Sequence, residues 1–282
     1  MLRVLLSTLF WIFLGVSSIA LFPVAVLIWL CTAPFDPRRA ILHRFTCFWA
    51  SLYTWLNPAW PVRIDGRERV RPGVTYVMVA NHQSFLDILV LFRLFVHFKW
   101  VSKIEIFSVP LIGWNMSLNR YIRLKRGDRA SIREMMTASE EALAGGSSIM
   151  MFPEGTRSAD GRLKPFKPGA FVLAKRDAGA APADRRARAR RERCRSAASS
   201  SRADIASTSD VREEIPPESF ADISAEELTE RMHALFAAEL GETPDEARPR
   251  ASAGRSPRAL ALAPPRARDG LRGDRSRAPS PA

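Results

Sequence analysis

Residues 75–87 read TYVMVANHQSFLD and contain a predicted strand and the start of a predicted helix. The mostly apolar run over residues 75–80 is typical of a strand that is buried on both faces. The polar residues after it open a predicted helix over residues 85–95. His82 therefore falls at the carboxyl end of a strand, where α/β folds place their functional sites.

Asp87 follows His82 by five residues, in the first turn of the predicted helix. One interpretation is a capping box, in which Ser84 is the N-cap residue and Asp87 bonds back to it. The other is a catalytic pair, because a carboxylate on one ring nitrogen of His82 fixes the tautomer and raises the basicity of the other nitrogen. Such a pair suits proton abstraction from a hydroxyl, and the two interpretations are compatible.

The elements that flank this stretch alternate between strand and helix. Further strands are predicted at residues 62–65, 100–103 and 148–152, and helices at residues 130–143 and 169–175. This alternation indicates an α/β fold with a mixed, mostly parallel sheet covered by helices. We expect this domain to occupy residues 59–240.

A second motif, FPEGTRS at residues 152–158, directly follows a predicted buried strand. Gly155 allows a close backbone approach, and Arg157 offers a planar fork of donors that suits a phosphate. The alternative is an ordinary polar turn with an internal Glu–Arg pair.

Between the motifs lie Lys103 and the block GWNMSLNRYIRLKR at residues 113–126, in which basic and apolar residues alternate. The block suits a phosphorylated substrate, a nucleic acid or a merely solvated strand face.

The formal net charge of the chain is +13 and predicts an anionic partner. Residues 1–175 carry 22 Lys+Arg against 11 Asp+Glu, whereas residues 176–282 carry 20 against 18. The excess positive charge therefore lies in the half that contains the motifs. The three cysteines have no paired spacing, which excludes a disulfide scaffold and a CxxC metal or redox site.

The N-terminus has no charged residue between Arg3 and Asp36. An apolar run at residues 4–31 would measure about 42 Å as a helix, against about 30 Å for the core of a bilayer. Because the run contains Pro23, it is either one long tilted span or two short helices in one leaflet. It is too long for a cleaved signal peptide, so we expect a retained anchor.

Residues 41–57 form a second apolar and aromatic stretch, which is either an interfacial helix or an ordinary core helix. Residues 1–58 are thus predicted to be an N-terminal membrane-anchoring helical segment. The basic residues Arg38, Arg39 and Arg44 after the anchor place the rest of the chain on the cytoplasmic side.

The two motifs, NHQSFLD and FPEGTRS, resemble the NHxxxxD and FPEGTRS motifs of glycerolipid acyltransferases. They stand about 70 residues apart with an arginine-bearing block between them, as in that family. The resemblance is closest to bacterial 1-acyl-sn-glycerol-3-phosphate (lysophosphatidate) acyltransferases. It covers about residues 60–180 and the anchored N-terminus.

This resemblance implies a reaction and a location. His82 would be the general base and Asp87 its orienting partner, while the substrate-binding residues would be Lys103, Arg123, Glu154, Gly155, Thr156 and Arg157. The hydroxyl of lysophosphatidic acid would attack an acyl-CoA or acyl-carrier-protein thioester directly, with no metal and no bound cofactor. The implied partners are these substrates and membrane lipids, with no nucleic acid. The implied location is the inner membrane of the cell, with the catalytic domain on the cytoplasmic side.

Two other functions stay open at the level of the sequence. The same chemistry could serve another acceptor, such as a lyso-ornithine lipid, a lysophospholipid or glycerol 3-phosphate. A membrane-tethered binder of nucleic acid or anionic lipid is compatible with the composition, but it leaves His82, Asp87 and the FPEGTRS turn unexplained.

The resemblance is interrupted at residues 181–202, APADRRARARRERCRSAASSSR. We expect no strand there, although the family has an apolar one. A shifted reading frame in GC-rich DNA would encode such an insert, and this hypothesis predicts an apolar strand in another frame across codons 181–202. It would also make the chain a catalytically impaired copy. An amphipathic helix is predicted at residues 223–240, followed by a disordered C-terminal tail at residues 241–282.

Overall fold

The computed structural model describes residues 2–57, 61–158, 162–179, 193–200 and 207–241. Within these residues, seven strands form one sheet in the order β1-β7-β6-β2-β5-β3-β4. Neighbouring strands are parallel except for the antiparallel pair β6–β7, which confirms the predicted mixed, mostly parallel sheet. The strands are β1 (Val62–Asp65), β2 (Tyr76–Ala80), β3 (Phe98–Lys103), β4 (Ile122–Leu124), β5 (Ser148–Met151), β6 (Arg193–Ser200) and β7 (Ser207–Ile215).

Helices cover both faces of this sheet. Alternate residues of β2 point to opposite faces, as the strand geometry requires. Tyr76 and Met78 join a core built largely with α1 to α4, whereas Val77 and Val79 join a core built with α5 to α7. The helices are α1 (Leu2–Thr32), α2 (Ala40–Trp55), α3 (Leu86–Phe92), α4 (Ile112–Leu118), α5 (Arg129–Ala144), α6 (Gly169–Gly179) and α7 (Ala225–Leu240).

The pair β2 and β5 forms the apolar centre of the sheet. Every residue of both strands is buried, as expected for parallel strands that are covered on both faces. Val79 lies opposite Met151 in the register of this pair. The loops that follow the two strands therefore emerge side by side at the carboxyl edge of the sheet.

Strand β6 corrects the prediction that residues 181–202 contain no strand. Arg193–Ser200 pairs parallel with β2 and antiparallel with β7, in the interior of the sheet. Pattern analysis missed it because the stretch has no apolar alternation, whereas strand pairing is made by backbone groups that every residue carries. The reading-frame hypothesis stays a prediction. Residues 181–192 and the predicted tail beyond Gly241 lie outside the described residues.

The apolar run at residues 4–31 lies in one helix, α1, and not in two short ones. Within it Thr8–Thr32 is long and apolar enough to cross a membrane, with a mean hydropathy of 2.3. One face of α1 packs against the domain. The ring of Phe13 lies 5.8 Å from that of Tyr53, and the ring of Phe22 lies 5.6 Å from that of Trp114.

Helix α2 has the core contacts that one interpretation of residues 41–57 predicts, while the interfacial interpretation stays a prediction. Its inner face joins the core through polar contacts: His43 Nδ1 lies 2.7 Å from the hydroxyl of Tyr121, and Thr46 accepts hydrogen bonds from the side-chain amides of Asn115 and Asn119. Its outer face exposes Phe48 and Trp55 among other apolar side chains. The helix is thus a core element with an apolar outer face.

Candidate active site

His82 and Asp87 form the pair that their spacing predicts. His82 lies two residues beyond β2, and Asp87 lies in the first turn of α3. His82 Nδ1 is 3.2 Å from Asp87 Oδ2, and the two side chains are 12% and 2% exposed. With Nδ1–H donating to the carboxylate, Nε2 is the ring nitrogen that is left to accept a proton.

The same carboxylate also organises the loop between strand and helix. Asp87 Oδ2 accepts hydrogen bonds from the backbone N–H groups of Gln83 and Ser84, each at 2.7 Å. Ser84 Oγ accepts one from the N–H of Leu86 at 3.1 Å, while the N-cap residue of α3 is Phe85, one position after the predicted Ser84. The capping interpretation and the catalytic interpretation therefore describe one set of contacts.

Glu154 joins the second motif to the first. Its side chain is buried, and Oε1 accepts a hydrogen bond of 2.6 Å from the N–H of His82 while Oε2 accepts one of 3.2 Å from the N–H of Lys164. The N–H of Ser158 donates to the carbonyl of His82 at 2.9 Å. The FPEGTRS loop thus holds the backbone of His82 on both sides. Sequence reasoning grouped Glu154 with the phosphate-binding residues, but its carboxylate faces the His82 loop.

Burial governs the ionisation of Glu154. Desolvation raises its pKa to about 7, and the nearby charge of Asp87 acts in the same direction. The hydrogen bonds from the N–H groups of His82 and Lys164 oppose this rise because they favour the charged form. The group therefore titrates close to neutral pH.

An aromatic stack fixes the plane of the His82 ring. The ring lies on Phe152 with centroids 4.0 Å apart and planes 12° apart, and Phe152 in turn stacks on Trp100 at 5.2 Å. Sequence reasoning missed this contact. The position of Phe152 at the end of a strand could be predicted from the sequence. The pairing of that strand with β2, which brings Phe152 to His82, could not.

Cations surround the exposed part of the FPEGTRS loop. Thr156 and Arg157 are exposed, and Lys164 Nζ donates to the carbonyl of Arg157 at 2.5 Å and lies 3.2 Å from Thr156 Oγ1. Gly155 has a φ of +71°, and a Cβ there would come within 3.0 Å of Lys167 Nζ. Sequence reasoning singled out neither lysine, although both lie within about 13 residues of Glu154.

Lys103 and Arg123 lie at the carboxyl edge of the sheet, as the FPEGTRS loop does, but they belong to other strands. Lys103 ends β3, and Arg123 lies in β4. Lys103 Nζ is 3.1 Å from Glu105, while the guanidinium of Arg123 donates to Ser117 Oγ and lies 4.8 Å from the ring centre of Phe107. Because β5 separates β3 from β2, Lys103 lies about 10 Å sideways from the His82 strand.

The site has no arranged metal ligands in the part of the chain that the structure describes: no group of three or more His, Cys, Asp or Glu side chains is placed to hold an ion. The arrangement instead combines a buried, oriented imidazole with a set of exposed cations. Such a set suits a reaction that needs one base and one anionic substrate.

Comparison with known proteins bears on the class of this chain. Residues 61–198 match the family model described as Acyltransferase. The predicted resemblance is thereby confirmed. The chain is 45% identical over 142 residues to the chloroplastic 1-acyl-sn-glycerol-3-phosphate acyltransferase LPAT1 of Arabidopsis thaliana, which covers 50% of this chain and 39% of that protein.

A second relative is the chloroplastic 1-acyl-sn-glycerol-3-phosphate acyltransferase BAT2 of Brassica napus, 41% identical over 57% of this chain and 46% of that protein. The chain thus spans less than half the length of these curated relatives. Among solved structures, the 1-acyl-sn-glycerophosphate acyltransferase PlsC of Thermotoga maritima superposes with a TM-score of 0.62 over 85% of this chain and 95% of that one. At 19% identity, this likeness concerns the fold alone.

Proposed function

We propose that this chain is a 1-acylglycerol-3-phosphate O-acyltransferase of phospholipid biosynthesis. It moves a fatty acyl group from a thioester to the free hydroxyl of lysophosphatidic acid and yields phosphatidic acid. The observation that carries the proposal is the His82–Asp87 contact, tied through Glu154 to the FPEGTRS loop. The names of the two plant relatives support the choice of acceptor.

His82 acts as the general base in this reaction. Its Nε2 takes the proton of the acceptor hydroxyl as that oxygen attacks the thioester carbonyl carbon. The C–O bond forms, the C–S bond breaks, and the imidazolium returns the proton to the departing thiolate sulfur. Asp87 stabilises the transient imidazolium and holds Nδ1–H in place. Glu154 acts as a positioning residue, because both of its oxygens bind backbone N–H groups.

The exposed cations bind the acceptor phosphate. Arg157 supplies a bidentate fork, and Gly155 and Thr156 shape the loop beneath it. Lys164 and Lys167 add charge at the same loop. Lys103 and Arg123 extend this positive surface along the edge of the sheet.

The substrates and α1 set the place of the reaction. Lysophosphatidic acid and the product are membrane lipids, so the enzyme works at a bilayer to which α1 anchors it. The basic residues Arg38, Arg39 and Arg44 favour an inner membrane location with the catalytic domain on the cytoplasmic side. The acyl donor is acyl-CoA or acyl-carrier protein.

An acceptor panel tests the proposal. Purified full-length protein in mixed micelles receives a radiolabelled acyl group on coenzyme A or on acyl-carrier protein, together with lysophosphatidate, lysophosphatidylcholine or glycerol 3-phosphate. We expect phosphatidate as the main product, and no product from the His82→Ala variant. Preferred acylation of either other acceptor would replace the proposed substrate. A folded wild-type chain that acylates none of them with either donor would make it a catalytically impaired copy.

A further inference from the structure

The segment Ile104–Trp114, between β3 and the body of α4, is apolar and outward-facing. Four of its large apolar side chains are exposed, with relative exposures of 40% for Ile104, 37% for Ile106, 42% for Val109 and 50% for Trp114. We name this segment the apolar wedge. The reaction proposed above uses none of these side chains.

The shape of the wedge is fixed by its own backbone. Gly113 packs directly on the preceding turn, because a Cβ there would lie 2.3 Å from the carbonyl oxygen of Phe107. The N–H of Gly113 donates to the carbonyl of Val109 at 2.8 Å, and Phe107 is buried beneath. Leu111 is held at a φ of +63°. The exposed side chains therefore belong to a built structure that holds them outward.

The wedge is continuous with the apolar surface of α1. The ring of Trp114 lies 5.6 Å from that of Phe22, within the Thr8–Thr32 stretch that is long enough to cross a membrane. The outer face of α1 is exposed and apolar, and its large side chains include Leu5, Leu9, Trp11, Ile12, Val16, Ile19, Leu27 and Leu30. Trp114 therefore lies against α1, the helix that a bilayer would surround.

Basic side chains border the wedge on the side of the candidate site. Lys103 precedes it, and Arg123 lies over its buried Phe107. Lys125 and Arg126 directly follow β4 and are exposed, and Lys125 Nζ lies 3.7 Å from Asp128 Oδ2. The wedge contains one acidic residue, Glu105, which pairs with Lys103. Exposed apolar and tryptophan side chains beside a row of cations match the two layers of an anionic bilayer surface.

We propose that the apolar wedge inserts into the surface of an anionic bilayer as a second membrane contact, separate from α1. Ile106, Val109 and Trp114 enter the acyl-chain boundary, and the adjacent cations meet the lipid phosphates. Because β3 leads directly from the edge of the sheet into the wedge, this contact places the cationic end of the candidate site at the level of the headgroups.

Collision-accessibility measurements on spin labels test the proposal. The full chain, with Cys31, Cys47 and Cys194 replaced by Ala, carries one nitroxide at Ile106→Cys or Trp114→Cys in vesicles of phosphatidylethanolamine and phosphatidylglycerol. The matched control is Ile132→Cys, because Ile132 is similarly exposed but belongs to α5 on the opposite face of the sheet. Thermal unfolding of each labelled protein establishes that it is folded.

We expect both wedge labels to collide more often with oxygen than with a water-soluble nickel chelate, and the control label to show the reverse. A chelate accessibility at both wedge positions equal to that at the control would overturn the proposal. So would low accessibility to both reagents, since that is the behaviour of a label buried in protein. The accessibility measurement does not depend on acyl transfer. Membrane insertion of the wedge can therefore be disproved while the proposed activity stands, and the activity can be disproved while the insertion stands.

Discussion

The two halves of the candidate site differ in how the protein holds them. His82, Asp87 and Glu154 form a buried cluster whose carboxylates accept hydrogen bonds from backbone N–H groups and from the His82 ring. Lys103, Arg123 and Arg157 lie at the surface, where Lys103 pairs with Glu105 and Arg123 donates to Ser117 Oγ. We call these sets the buried cluster and the exposed cations.

Under the proposed function, this difference separates the two tasks of the site. A base contributes to the rate only if its orientation is set before the substrate arrives, and buried hydrogen bonds supply that orientation. A phosphate brings its own charge, so exposed cations are organised by the ligand. Substitutions in the buried cluster should therefore lower kcat, whereas substitutions among the exposed cations should raise the acceptor KM.

Loss of the base should have the largest effect. His82→Ala is expected to lower kcat by about 10²–10⁴-fold, the usual contribution of a general base, while the acceptor KM changes little. Steady-state kinetics with lysophosphatidate as the acceptor measure both constants. His97→Ala is the matched control, since His97 is partly buried at the amino end of β3 and bonds to Ser147. Comparable kcat values in the two variants would remove His82 from the mechanism.

A smaller loss of kcat is expected when Glu154, the proposed positioning residue, is replaced. In Glu154→Gln the amide NH₂ must face one of two backbone N–H donors, which leaves that donor without an acceptor at a cost of about 1–3 kcal/mol. We expect kcat to fall while the acceptor KM stays within about twofold, a change of about 0.4 kcal/mol. A selective rise in the acceptor KM would return Glu154 to the phosphate site.

The same variant carries a pH signature. The folded protein holds a proton on Glu154 up to a pKa of about 7, whereas the ordinary value is 4.5. The contribution of this group to the free energy of unfolding is therefore fully present below about pH 4.5 and is lost as the pH rises through 7. The melting temperature of the wild type should fall relative to that of Glu154→Gln between pH 5 and pH 8. A constant difference would contradict the raised pKa.

Arg157 should give the smallest of these effects and should act on KM. Arg157→Ala is expected to raise the acceptor KM about tenfold, as for the loss of one charge-assisted hydrogen bond of about 1.5 kcal/mol. Arg157→Lys keeps the charge but loses the fork, so its rise should be smaller. Lys103→Ala serves as a comparison, and its effect should be smaller still because exposed ion pairs contribute about 0–1 kcal/mol. An acceptor KM that none of these variants changes would place the phosphate elsewhere.

The features that the sequence predicted depend on the order of residues and elements along the chain. His82 and Asp87 stand at the end of a strand and the start of a helix, so their contact follows from the chain geometry itself. The α/β class followed from the alternation of elements, and it is confirmed by the sheet.

The features that the sequence did not predict depend on the order of strands in the sheet or on contacts of the backbone. The stack of Phe152 on His82 exists because β5 lies beside β2, and neither strand carries a signal for that. A glutamate in a turn looks the same whether it faces a substrate or a backbone N–H, so the contacts of Glu154 could not be predicted from the sequence. Strand β6 has a composition that no apolar pattern detects, yet it pairs with β2 through its backbone.

A double-mutant cycle tests most directly the claim that His82 and Asp87 act as one catalytic unit. The kcat and the melting temperature are measured for His82→Ala, Asp87→Asn and the double variant. We predict that Asp87→Asn loses activity in a folded protein and that the double variant is hardly less active than His82→Ala alone. If Asp87 were only a helix cap, Asp87→Asn would cost about 0.5–2 kcal/mol of stability and keep a normal kcat. That result, or losses of kcat that multiply in the double variant, would contradict the account.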